Sequence, residues 1–529
     1  MNKGFYREII NGILTGRIKN KQELHGEKIK LCRRHGIKKV PADSEIIKQL
    51  PNHLSNSDKE LLLSVLRKKP VRTVSGVTVV AVMTSPADCP HGRCIPCPGG
   101  PSGNTPQSYT GYEPAAMRAI MHGFDPYKQT RSRTEQLKMV GHPVDKIDFI
   151  VMGGTFTARD PFYQEWFIKR CFDGLNNSGS KNLREAQKKN ETAKSRCIGL
   201  TIETRPDWLR VQHLDNALRF GCTRVELGVQ TIFDTLLYKM RRGHTVTDIV
   251  IATRLAKDSG LKVCYHMMPG LPGSNLGMDM ESFKTIFEDQ RFRPDMLKIY
   301  PTLVVEGTEL HKQWRSGGYK PLTEEEAVPL IASVKALVPE WVRIQRVERD
   351  VPATRIEAGV KASNLRQLVQ MEMRKQGRQC RCIRCREYGH VENARTWDDD
   401  VVVVRRQYQA SDGVEVFLSI EDRGFNVVFG YLRLRLPANP HRYELTREKC
   451  MVIRELKVVG KEIPLGETGE QGVQHRGLGR ELLEEAERIS GEEFDCTRLF
   501  VLSGVGVKEY YRRLGFENDG VYLSKKLVQ

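Results

Sequence analysis

At 529 residues the chain is too long for one hydrophobic core, and roughly two to four domains are expected. Lys and Arg outnumber Asp and Glu by 84 to 65, a net charge of +19 that favours a polyanionic partner without separating RNA from DNA or an anionic membrane. No apolar run reaches the length of a membrane span, and the first residues lack the apolar core of a signal peptide, so a cytoplasmic protein is expected, with thirteen cysteines better suited to metal chemistry than to disulfides.

Residues 1–75 read as a basic helical region. Arg17, Lys19, Lys28, Lys30, Arg33, Arg34, Lys38 and Lys39 crowd one stretch, with Ile9, Ile10, Ile13 and Leu14 at helical spacing before them. A solvated helical face would look similar. The density of one sign of charge favours a nucleic-acid surface.

Residues 76–345 change period. Short apolar runs at 77–83, 147–152, 197–202, 224–229, 262–268 and 297–301 read as buried parallel strands, with helices predicted at 208–220, 247–259 and 280–289. Six such strands predict a partial (β/α)6 TIM-like barrel. The polar stretch 176–196 reads as an insertion loop.

The candidate chemistry falls at the carboxyl ends of these strands, where such folds keep it. After the first run comes Cys89-Pro-His-Gly-Arg-Cys94-Ile-Pro-Cys97, a C-x4-C-x2-C spacing in a loop rich in Pro and Gly. Three thiolates on a 4Fe–4S cluster, which ordinarily takes four, leave one iron open for a small molecule. Half a zinc site or three structural cysteines are the alternatives, and no second cysteine pair lies near enough to complete a zinc knuckle. The second run ends in Gly153-Gly154, where backbone can approach a ligand closely. Glu203, Glu226 and Gln230 leave the third and fourth runs as polar residues suited to ribose or amino-acid contacts. Lys298, on the sixth, must meet a ligand or a carboxylate if it faces inward.

A linker, 346–400, carries Cys380, Cys382 and Cys385 in a C-x-C-x2-C spacing that suits zinc, with no fourth ligand evident beside it except His390. Residues 401–529 read as a mixed α/β domain with strands at 401–406, 414–420, 427–436 and 451–459, alternation being clearest in Tyr431-Leu-Arg-Leu-Arg-Leu436. Gln474-His475-Arg476-Gly477-Leu478-Gly479 then opens a helix, a turn whose amides suit a pyrophosphate. Tyr510, Tyr511, Gly515 and Phe516 follow the next predicted strand, at 499–503.

The cysteine loop resembles the signature of the radical-SAM superfamily. The Gln474–Gly479 turn and the Tyr-x-x-x-Gly-Phe segment resemble motifs of the Gcn5-related acetyltransferases. Their fusion, together with Ile202-Glu-Thr-Arg-Pro-Asp207, Ser363-Asn-Leu-Arg-Gln367 and the linker cysteines, resembles the catalytic subunit family of Elongator, microbial stand-alone members included. The resemblance implies a tRNA carboxymethyluridine synthase acting at C5 of the wobble uridine. Its cofactors would be a 4Fe–4S cluster on Cys89, Cys94 and Cys97, S-adenosylmethionine (SAM) at Gly153, Gly154, Glu203, Glu226 and Gln230, and acetyl-CoA at residues 474–479, Tyr510 and Tyr511. Zinc is expected on the linker cysteines, Lys298 and Tyr511 as catalytic residues, tRNA on the N-terminal basic residues, no membrane, and no obligatory partner subunits. A protein lysine acetyltransferase with a structural cluster is the alternative enzyme, and an RNA-binding scaffold the non-enzymatic one.

Overall fold

The computed structural model describes residues 3–51, 53–68, 73, 75–391, 401–424, 426–460 and 477–527. Four helices open the chain: Lys3–Leu14, Lys21–Arg34, Asp43–Ile47 and Asn56–Leu66. They close on a small core that includes Phe5, Ile9, Ile13, Leu24, Leu31 and Leu62. Asn20 and Ser55 cap the second and fourth by accepting from the first free amides.

The barrel strands follow: β1 (Val77–Met83), β2 (Lys146–Met152), β3 (Arg196–Thr204), β4 (Arg224–Gln230), β5 (Lys262–Met267) and β6 (Met296–Ile299). After the short β7 (Val304–Val305) comes β8 (Arg343–Arg346), then β9 (Ile356–Ala358). The large sheet runs β1-β2-β3-β4-β5-β6-β8, every neighbour parallel. Helices Val211–Arg219, Val246–Asp258, Leu276–Glu288 and Glu324–Leu337 cover its outer face. β4 is packed on both faces, every residue but the last being buried, and it encloses Arg224 and Glu226 among its apolar residues.

Two expectations are corrected. The sheet has a seventh strand, β8; Arg343-Ile-Gln-Arg346 has one apolar residue and carries no periodic signal. The 176–196 stretch is not a plain loop. It holds the helix Leu183–Asn190, capped by Asn182 and buried through Leu183, Ala186 and Asn190.

The C-terminal sheet comprises β10 (Val401–Ala410), β11 (Gly413–Asp422), β12 (Val428–Leu436), β13 (Cys450–Val458), β14 (Arg498–Val501), β15 (Glu517–Asp519) and β16 (Tyr522–Lys526), in the order β10-β11-β12-β13-β14-β16-β15. Only β13 and β14 pair in parallel. Ser411 and Asp412, at φ +49° and +64°, make the two-residue turn between β10 and β11. Helix Leu478–Arg488 packs Leu482, Leu483 and Ala486 on this sheet.

The polar side of the β12 alternation does not face water. Arg433 and Arg435 are buried against the barrel. Arg435 donates to Asp258 Oδ1 at 2.6 Å and Arg433 to the Trp341 carbonyl at 2.7 Å. Arg454 joins Asp295 of the barrel to Glu415 of β11. No described helix is long and apolar enough to cross a membrane.

Candidate active site

The three cysteines of the loop after β1 line a cavity of about 160 Å³ at the carboxyl ends of the parallel strands. Gly154, Glu203, Glu226 and Gln230 line the same cavity, so the sheet gathers candidates from β2, β3 and β4. Each sulfur meets a polar group. Thr155 Oγ1 lies 3.6 Å from Cys89, His91 Nε2 3.0 Å and Arg242 Nη1 3.5 Å from Cys94, and the Ser108 amide 3.1 Å from Cys97. Burial pushes the Cys89 and Cys97 thiols up, so a metal would take the place of a firmly held proton. The sulfurs of the linker triad, Cys380, Cys382 and Cys385, all lie within 4.8 Å of one another, the spacing of ligands round one ion. Three donors at the cavity, each supported by a polar neighbour, fit a cluster with one open corner.

The glycine pair divides its roles. Gly153 (φ +127°) has no room for a side chain, since a Cβ would stand 2.1 Å from Thr84 Oγ1. Gly154 (φ +85°) opens on the cavity, its Cβ position 3.8 Å from Cys89 Sγ. Gln230 has φ +72°, rare for a side-chain-bearing residue, and its buried Oε1 has no hydrogen-bond partner. Strain and an orphaned acceptor at one strand end make Gln230 a candidate ligand contact.

Beneath lies an ionic layer. Glu203 accepts from the Tyr109 hydroxyl at 2.8 Å. Lys298 pairs with Glu226, and its Nζ is 3.6 Å from Glu203. Burial alone would depress the Lys298 ammonium, but Glu226, with Tyr300 and Glu203 behind it, outweighs burial and holds it well above its ordinary value. Burial alone would raise Glu226; Lys298 and a hydrogen bond from His266 (2.9 Å) hold it well below the carboxylate range. Lys298 does face the barrel interior and meets carboxylates. It lies behind the cavity lining, paired with Glu226.

In the C-terminal domain, Gly477 (φ +85°) caps helix Leu478–Arg488. Leu478 is buried in the core. Gly479 leaves the turn open, its Cβ position 3.1 Å from the Tyr510 hydroxyl. Gln474, His475 and Arg476 lie outside the described residues. The two tyrosines separate: Tyr510 is 40% exposed, whereas Tyr511 is buried, its ring edge-on to Tyr510 and Phe516. Tyr511 therefore serves core packing, and Tyr510 is the one whose hydroxyl reaches the glycine turn.

The linker triad forms as expected of a metal site; hydrogen bonds from Cys380 and Cys385 draw the Cys382 thiol well down. His390 lies against Glu387 instead and is not part of that group. Among the N-terminal basic residues, Lys19, Arg33, Lys38 and Lys39 are exposed. Arg17 and Lys30 share Glu27, and Arg34 pairs with Glu8. Lys28 is a correction, being buried with Nζ 2.9 Å from Asp43, so it offers no free charge to RNA.

Sequence reasoning missed Tyr109, Ser108, Arg242 and His266. His266 carried a signal, a polar residue inside an apolar run. Arg242 did not, because its neighbours Cys94 and Gly228 are far off in the chain.

A parallel half-barrel with a three-cysteine loop at its mouth defines a radical-SAM protein, and residues 86–286 match the Radical SAM superfamily. Residues 294–375 match the Radical_SAM C-terminal domain and 3–74 the ELP3 N-terminal domain. The tRNA uridine(34) acetyltransferase of Methanocaldococcus jannaschii is 53% identical over 494 residues, covering 92% of this chain and 90% of the relative. Elongator complex protein 3 of Saccharomyces cerevisiae is 42% identical over 539 residues, covering 100% and 94%. The solved archaeal Methanocaldococcus infernus Elp3, with residues 1–46 deleted, superposes with a TM-score of 0.77 at 49% identity, over 86% of this chain and 100% of that one. The chain belongs to the Elongator complex protein 3 family.

Proposed function

We propose that the protein modifies the wobble uridine of tRNA, using SAM and acetyl-CoA to form 5-carboxymethyluridine. The observation that carries the reading is the pairing, in one chain, of the three-cysteine cavity with a glycine turn opening a helix on a mixed sheet, joined through buried ion pairs. Relatives named for tRNA uridine(34) support the substrate. Cys89, Cys94 and Cys97 would hold the 4Fe–4S cluster. When bound, that cluster and SAM supply one-electron chemistry to a carbon that polar attack reaches poorly.

The chain's own residues orient and enclose. Gly154 lets backbone approach the methionine end of SAM, and Gln230 and Glu203 offer acceptors to its amino and hydroxyl groups. Lys298 and His266 keep Glu226 ionised at the cavity floor. Gly477 and Gly479 expose amides to the CoA pyrophosphate, with Tyr510 beside them. Cys380, Cys382 and Cys385 would hold zinc as a clip in the linker. Lys19, Arg33, Lys38 and Lys39, with Arg17, Lys30 and Arg34 at the margin, supply phosphate contacts.

The test is anaerobic reconstitution with tRNA, SAM, acetyl-CoA and reductant, with nucleosides read by mass spectrometry. Carboxymethyl at the wobble uridine is expected, abolished by Cys94→Ser. SAM-independent acetylation of basic peptides that survives Cys94→Ser, with no tRNA product, would overturn it in favour of a protein acetyltransferase.

A further inference from the structure

The three cysteines of the loop are not electrostatically equivalent. Cys97 meets a neutral group, the Ser108 amide, and Cys89 meets the Thr155 hydroxyl, with Arg205 and Arg242 acting on it only through space. Cys94 meets a guanidinium as well as His91: Arg242 Nη1 donates to its Sγ at 3.5 Å. Among the described residues, the other bond of Arg242 is to a backbone carbonyl, Nη2 to Gly228 O at 2.9 Å, and its Nε is buried without a partner. A half-buried cation bound to a sulfur and a carbonyl, rather than to a carboxylate, is positioned for a negative charge at that sulfur.

Two glycines make the slot. Gly228, on β4, has an ordinary backbone conformation, yet a Cβ there would stand 2.3 Å from Arg242 Nη2. Only the space requires glycine at this position. Gly243 (φ +71°) lets the following turn press on the cysteine loop, its Cβ position 2.6 Å from His91 Cβ. Strand β4 and the Arg242–Gly243 turn thus lock the guanidinium against one cysteine.

We propose that Arg242 is a positioning residue that holds the Cys94 sulfur in place through a charged hydrogen bond and raises the reduction potential of the iron–sulfur centre. The inference rests on the reading that the loop holds such a cluster. Reduction adds a negative charge, and a cation in a low-dielectric pocket stabilises the more negative state. Charge and hydrogen bonds at the sulfurs are among the determinants of cluster potential.

The experiment is an EPR-monitored redox titration of the reconstituted full chain without SAM, so that the readout is independent of turnover. Arg242→Gln is expected to lower the ratio of reduced to oxidised cluster at fixed potential by about tenfold, a midpoint about 59 mV more negative for one electron. Arg242→Lys, which keeps the charge, should stay near wild type. Gly228→Ala, which evicts the guanidinium without removing it, should shift the midpoint in the same direction. Adding Arg242→Gln to Gly228→Ala should then shift it little further. Loss of iron from Arg242→Gln but not from Arg242→Lys would support the holding role, and Gly228→Ala would then report the potential. A wild-type midpoint in both Arg242→Gln and Gly228→Ala, with iron content intact, overturns the proposal. A wild-type chain that takes up no iron removes the cluster reading itself, a distinct result.

Discussion

Lys298 and Glu226 help keep each other charged inside the barrel, with His266 and Arg224 also beside Glu226 and Glu203 beside Lys298. Both are buried, and neither would ionise there alone. Lys298 could be picked out in the sequence because a lysine in an apolar run needs a partner. The partner could not be identified, since it lies 72 residues away on β4 and only the strand order brings the two together. The same gap explains why Arg242 escaped notice while the cysteines, close in sequence, did not. Tyr510 and Tyr511 are adjacent and chemically alike, so only the burial of one ring distinguished them. Removing one member of a buried pair strands the other, at about 3–5 kcal/mol. Lys298→Met should therefore lower the urea midpoint of the chain markedly, and Lys298→Met with Glu226→Gln should recover part of the loss. A single variant as stable as wild type would mean that the pair does not hold the cavity floor.

At the scale of elements, the barrel strands were legible because each carries a short, largely apolar or alternating run. β8 and the helix Leu183–Asn190 were not, because their tertiary setting rather than their own pattern makes them regular. The β12 alternation was visible, but what covers its polar face is a property of the barrel. One short element fastens the two sheets together. The turn Val505–Val507 sits on β3 with its backbone so close that a Cβ at Gly504 would stand 2.1 Å from the Ile198 carbonyl, and one at Gly506 2.5 Å from Arg196 Cβ. A strand carbonyl cannot step aside as a flexible side chain can. Gly504→Ala should cost about 1–3 kcal/mol as overpacking, with faster hydrogen exchange at the β3 amides. Gly491→Ala, whose Cβ would meet only Leu527 Cδ1 at 3.9 Å, is the matched control and should stay within about 0.5 kcal/mol. Equal melting temperatures for the two variants would show that this turn does not bear the junction.

At the scale of the whole molecule, the barrel and the C-terminal sheet meet across buried charges as well as an apolar seam, and pH becomes a handle on the junction. Glu387, from the linker, ion-pairs with Arg343 of β8 at 2.7 Å and Lys457 of β13 at 3.5 Å, and bridges to Val428 of β12. Burial alone would raise its carboxyl; Arg343, then Lys457, bring it down from 4.5 to about 2. Asp295, Glu415 and Glu455 at the same junction are lowered too, against their burial, by Arg454, Arg433 and Lys257 or Lys262. A carboxylate held lower in the folded chain contributes stability that is fully present above its unfolded value near 4.5. That stability is lost as pH falls through the folded value near 2. For Glu387 alone the difference corresponds to about 3 kcal/mol. The urea midpoint should therefore decline from about pH 5 downward, and Glu387→Gln should start lower at pH 7 and decline less, the two curves converging near pH 2. Parallel curves across that range would exclude Glu387 from the acid response. Convergence would mean that the ionised Glu387 carboxylate helps to hold the junction between the barrel and the C-terminal sheet, so that acid weakens that junction as the carboxylate takes up its proton.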